Sequence, residues 1–145
     1  METGVKVIDA MTKAPIVVDP KESIIVCAKL MLEKGVGSLL VKKNDVLLGI
    51  LTEKDLVDKI IAKKIDPSNT FVEKIMTKTE MVTISPNEDL HYAMLLMSRE
   101  NKRRLPVVDN GKIMGLLTYK DVLKIQPDLY DLFVEKFKME KSKDA

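Results

Sequence analysis

Two short stretches of this chain carry residue types suited to holding a polar ligand. Gly49-Ile50-Leu51-Thr52-Glu53-Lys54-Asp55 and Gly115-Leu116-Leu117-Thr118-Tyr119-Lys120-Asp121 share one pattern: Gly, two apolar residues, Thr, two variable residues, Asp. A glycine inside a strand lets another backbone, or a ligand, approach closely. A Thr where strand gives way to helix, with an Asp three residues on, fits an N-cap and its N3 partner in a capping-box variant. The same geometry suits a ligand. The first N–H groups of a helix and its positive dipole end attract phosphate, and the hydroxyl adds a donor. A carboxylate one turn in can accept two hydrogen bonds from a vicinal diol such as ribose. The residue types leave both readings open, and two copies in register favour the second.

The elements that must position these motifs are themselves duplicated. The motif glycines stand 66 residues apart (115 − 49), and that shift superimposes positions 20–59 on 86–125 with twelve identities, among them Pro20/Pro86, Glu22/Glu88 and Asn44/Asn110. Upstream the shift is 65: Met11-Thr12-Lys13 lies on Met76-Thr77-Lys78. Ile24, Cys27, Ala28, Met31 and Leu90, Ala93, Met94, Met97 have the spacing of one apolar helix face. Each helix follows a Pro-containing polar turn, DPKES or SPNED. Next come strand-like runs at 37–42 and 46–52, and at 105–108 and 112–118. Asn110-Gly111 between two apolar runs predicts a hairpin, because a type I′ turn needs positive φ at both central positions. A second helix is expected over 53–63 and 119–125, and a short strand at Ile16–Val18. Each unit therefore reads β-α-β-β-α, an α+β arrangement. A unit of about 60 residues is marginal alone, so two units packing through their sheets is the expected state.

The predicted organisation is a first repeat at 5–64, a linker at 64–70 (KIDPSNT), a second repeat at 71–126 and an amphipathic helical tail at 127–145. In the tail Tyr130, Phe133, Val134 and Phe137 fall on one helical face, for packing onto the repeats or a dimer contact.

Composition excludes several classes. In 145 residues, 24 Lys and Arg oppose 22 Asp and Glu, a net +2 that offers little steering toward nucleic acid. One cysteine excludes an intramolecular disulfide framework and cysteine-rich zinc sites, and one histidine excludes His-pair metal sites. No apolar run reaches the roughly 18 residues of a membrane helix, and the start METGVKVIDA has no signal-peptide core. The expected compartment is the cytoplasm. Cys27 reads as a small core residue, His91 as no metal ligand, and the nine methionines as packing. No nucleophile–base pair or metal constellation marks an enzyme.

The duplication, the openings IDAMTK and EKIMTK, the strand VTISP and the run RRLPVVDNGKIMGLLTYKD together resemble a tandem pair of CBS domains, a Bateman module, over about residues 5–126. The resemblance implies two repeats related by a pseudo-twofold axis and packed through their sheets, with two clefts between them; the C-terminal helix expected from the tail's own spacing lies outside it. It implies ligands of the adenosine class: AMP, ADP, ATP or S-adenosylmethionine. Carried over by position, one cleft combines Thr52, Asp55, Thr83, Arg103 and Arg104; the other combines Thr118, Asp121, Val17, Gly37 and Ser38. The motif Asp holds ribose hydroxyls in such modules, and the Arg103-Arg104 pair marks the Asp55 cleft for a phosphorylated nucleotide. No cofactor is required and no catalysis is implied. The expected partners are a second copy, forming a homodimer, and an effector protein that reads occupancy. The alternatives are a ligand-independent structural or adaptor subunit and a nucleic-acid-binding regulator.

Overall fold

A computed structural model describes residues 2–78 and 81–132. In chain order the elements are α1 (Val7–Ala10), β1 (Val17–Val18), α2 (Ile24–Lys34), β2 (Ser38–Lys43) and β3 (Val46–Thr52). Then come α3 (Glu53–Asp55), which continues as a π-helical turn over Leu56–Ile61, α4 (Leu90–Glu100), β4 (Arg104–Asp109), β5 (Lys112–Thr118) and α5 (Tyr119–Ile125). The expected order of elements is present in both copies, with a shorter first strand in the first. In the second copy that strand shrinks to the single parallel bridge Ile84–Val107.

The two long helices start and stop by equivalent devices. The Ser23 hydroxyl accepts the Ile25 N–H and the Asp89 carboxylate accepts the His91 N–H, each cap being worth about 1 kcal/mol. Left-handed Gly35 and Asn101 end them. The hairpins share register as well: Ser38 pairs with Thr52 as Arg104 pairs with Thr118, and both carry a bulge one step past the motif glycine's partner. Their turns place Asn44-Asp45 and Asn110-Gly111 at positive φ, the geometry the hairpin requires.

The chain separates into two compact units, Pro15–Met81 and Met1–Ala14 with Val82–Ala145. They do not coincide with the sequence repeats, because the openings are exchanged. In the unit 15–81, the opening of the second repeat straps the start of α2: Ile24 N–H donates to Thr70 O, Val72 N–H to Glu22 O, and Glu73 N–H to Pro20 O. In the other unit the opening of the first repeat does the same for α4. There Leu90 N–H donates to Val5 O, Val7 N–H to Glu88 O, and Ile8 N–H to Pro86 O. Each bond has its equivalent under the 65- and 66-residue shifts. Thr70, at the end of the expected linker, is consequently buried.

Each unit has one apolar cluster, and residues of the exchanged opening belong to it. Val72, Ile75 and Met76 join Ile24, Cys27, Leu39, Val41 and Leu51, while Val7 and Met11 join Leu90, Met94, Leu105, Val107 and Leu117. Burying each such aliphatic side chain contributes about 1.5–3 kcal/mol. The start of the tail joins the second cluster. Leu129 is buried, Leu132 packs beside it, and the Ser98 hydroxyl donates to Leu132 O (3.1 Å). Tyr130, expected on the apolar face, is exposed, because the turn at Pro127–Leu129 rotates the leucines inward instead. Phe133, Val134, Phe137 and the rest of the expected tail helix lie outside the described residues. Among the described residues no helix is long and apolar enough to cross a membrane.

Candidate functional site

Both motifs close into the same structure. Thr52 N–H donates to Asp55 Oδ2 (2.9 Å) and Asp55 N–H to Thr52 Oγ1 (3.2 Å). Thr118 N–H donates to Asp121 Oδ2 (3.0 Å) and Asp121 N–H to Thr118 Oγ1 (3.2 Å). The capping box is therefore complete in both copies. The next amides are also paired: Glu53 N–H donates to Gly37 O and Tyr119 N–H to Arg103 O. The expectation of helix starts offering N–H groups to a phosphate is thereby narrowed, since the amides of Glu53, Asp55, Tyr119 and Asp121 are taken. Each motif also presents its hydroxyl hydrogen and its carboxylate, whose plane the box fixes.

The motif glycines are explained within each unit. A Cβ on Gly49 would lie 2.7 Å from Met76 Sδ and 2.9 Å from Thr77 O, and one on Gly115 would lie 2.5 Å from Thr12 O. The exchanged Met-Thr openings cross the strands here, through paired backbone bonds between Thr77 and Ile50 and between Thr12 and Leu116. Of the two readings of the glycine, close approach of another backbone is the one realised.

The two aspartates differ sharply. Asp55 is buried, and its Oδ1 faces Lys59 Nζ at 3.0 Å and accepts from Thr77 Oγ1 at 3.4 Å. Lys59 Nζ also donates to Ile75 O (2.8 Å). Asp121 is half-buried, and among the described residues its Oδ1 accepts no hydrogen bond and forms no ion pair. Sequence reading missed Lys59 and Thr77. Their signals were the Asp–Lys spacing of four and the repeated Met-Thr pair.

The other expected site residues sit on the strand starts. In the unit 15–81, Val17 and Gly37 are half-buried and Ser38 is buried opposite Thr52. In the second unit, Thr83 and Arg103 are exposed and Arg104 is half-buried opposite Thr118; both arginines already interact with other groups. Lys54 pairs with Asp58, whose hydrogen bond and charge hold its amine above the usual lysine range. Burial, aided by the Glu22 charge, pushes the Cys27 thiol up to about 11, so it stays protonated and inert. His91 belongs to no metal-ligating cluster among the described residues. Two surface depressions, one beside Lys6, Asp89 and Tyr92 and one beside Lys21, Lys43 and Met76, include none of the motif residues.

The sequence profile of the CBS domain matches residues 7–62 and 72–128. The protein is a tandem CBS-domain pair. Uncharacterized proteins of Methanocaldococcus jannaschii and Methanopyrus kandleri are each 35% identical to this CBS pair, over 126 and 121 residues. These matches take in 85% and 82% of the chain and 67% and 61% of the relatives, so the chain spans about two thirds of their length. The crystallised CBS domain pair of protein MJ0100, in complex with 5′-methylthioadenosine and S-adenosyl-L-methionine, superimposes with a TM-score of 0.74 at 27% identity. It covers 83% of this chain and 98% of that one. A hexameric CBS-CP12 protein from bloom-forming cyanobacteria gives a TM-score of 0.75 at 26% identity, over 99% of this chain and 85% of that one.

Proposed function

We propose that this CBS pair is a ligand-sensing regulatory module whose ligand is an adenosine compound: AMP, ADP, ATP or S-adenosylmethionine. The observation that carries the reading is the Asp121 carboxylate at a half-buried helix start, with one oxygen pinned by the Thr118 N–H and the other without a hydrogen bond or ion pair among the described residues. A vicinal diol needs two acceptor positions on one fixed carboxylate, and this one retains them. The two ligands of the MJ0100 pair share the adenosine moiety, and hence that diol. One proposed ligand set is Thr118, Asp121, Val17, Gly37 and Ser38. The other is Thr52, Asp55, Thr83, Arg103 and Arg104, where two guanidinium groups favour a phosphorylated ligand.

Family membership favours regulation over catalysis. Occupancy acts only if the ligand prefers one arrangement of the protein over another, and the preference is then passed to a contact that reads it. We take that contact to be a homodimer or an effector protein. The exposed Leu32 of α2 and Val57 and Ile61 of the π-helical turn support such a contact, being 86%, 57% and 70% accessible. Calorimetry with AMP and S-adenosylmethionine tests the ligand reading. The Asp121→Asn variant is expected to weaken binding by about tenfold or more. Unchanged affinity in that variant, or no adenosine compound among the small molecules released from purified native protein, overturns it.

A further inference from the structure

We propose that Lys59 is a latch on Asp55, so that the two motif aspartates take ligand unequally, Asp121 first and Asp55 only when Lys59 lets go. The inference rests on the adenosine reading above and adds to it an order of filling that the duplicated motif does not contain. A carboxylate has roughly four acceptor positions. At Asp55 the Thr52 N–H takes one on Oδ2, while Lys59 Nζ and Thr77 Oγ1 take two on Oδ1. One position is left, too few for a diol that donates twice. At Asp121 the Thr118 N–H is the only donor bound among the described residues, so the diol finds room.

The latch is built from parts of the unit 15–81 alone. Lys59 lies in the segment Leu56–Ile61, where the helix widens and Ala62 N–H reaches back five residues to Val57 O. Such widened turns are frequent where a helix serves a site. The ammonium is tied twice, to the buried Asp55 and to the Ile75 carbonyl of the exchanged opening, which a solvated lysine would not be. The second copy lacks the device: the 66-residue shift puts Ile125 where Lys59 stands, and α5 stays regular. A ligand at Asp55 must therefore break an ion pair and a hydrogen bond before it gains its own.

The test is titration calorimetry of the intact chain with 5′-methylthioadenosine, which has the diol and no phosphate. The parent is expected to show a single binding event that Asp121→Asn removes and Asp55→Asn leaves. Lys59→Ile, the residue of the other copy, is expected to add a second event that Asp55→Asn then abolishes. Lys59→Gln keeps a donor for the Ile75 carbonyl without the charge and is expected to add the same second event. A melting curve of each variant establishes that it is folded. Two equal events in the parent, or a single event lost with Asp55→Asn, overturns the latch. So does binding at Asp121 with no gain in either Lys59 variant. Absence of binding in every variant overturns the adenosine reading itself, and the latch with it.

Discussion

At Asp89 one carboxylate holds two segments of chain together. It caps α4 through the His91 N–H and accepts from Thr3 N–H, Gly4 N–H and the Thr3 hydroxyl. Partial desolvation pushes its pKa up, but these donors outweigh it and bring the group down to about 2 from an ordinary 3.8. A depressed carboxylate stabilises the fold above its unfolded pKa and stops doing so as pH falls through the folded one. Because this carboxylate is partly exposed and screened by solvent, Asp89→Asn is expected to cost no more than about 1 kcal/mol at neutral pH, with the gap to the parent closing between about pH 4 and pH 2. Urea unfolding at pH 7 and near pH 2 checks this, and an equal gap at both would contradict it. The sequence marked Asp89 only as part of a polar helix start. Its further partners come from 86 residues away along the chain, beyond the reach of local spacing.

At the scale of elements, the strand β5 and the opening that crosses it make a sharper prediction. Gly115→Ala would set a methyl 2.5 Å from the Thr12 carbonyl, a backbone atom that cannot swing aside, whereas at Gly49 the corresponding Thr77 carbonyl lies 2.9 Å away and the nearest atom is the flexible Met76 sulfur at 2.7 Å. Gly115→Ala is expected to destabilise by about 1–3 kcal/mol, and Gly49→Ala by less. Thermal melting of both variants orders them; the reverse order would mean that the crossings relax differently. The helices, hairpin turns and capping boxes were legible beforehand because each is fixed within a few residues. Asn110-Gly111 dictates its turn, and Thr118 finds Asp121 within one helical turn. The widened turn at Leu56–Ile61 was not legible, since the residues there suit an ordinary helix.

For the whole molecule, the exchange of openings changes what a foldable piece is. A fragment of residues 5–64 follows the sequence repeat but lacks Val72, Ile75 and Met76, which complete its core. The fragment 15–81 contains them and the strap on α2. The second is expected to unfold cooperatively on heating and the first to show little transition; circular dichroism of the two peptides decides, and equal behaviour would argue that the straps matter little. The sequence by itself determined the duplication, the β-α-β-β-α order and the paired Thr–Asp boxes, because these depend on periodicity and contacts a few residues apart. It could not say which repeat each Met-Thr opening would join, since MTK occurs in both. It also could not say that Lys59 would reach both Asp55 and the Ile75 carbonyl, a pairing that Ile125 cannot make at the corresponding place in the other copy. Only the tertiary structure decided those two matters, because each depends on which distant backbone lies against the motif.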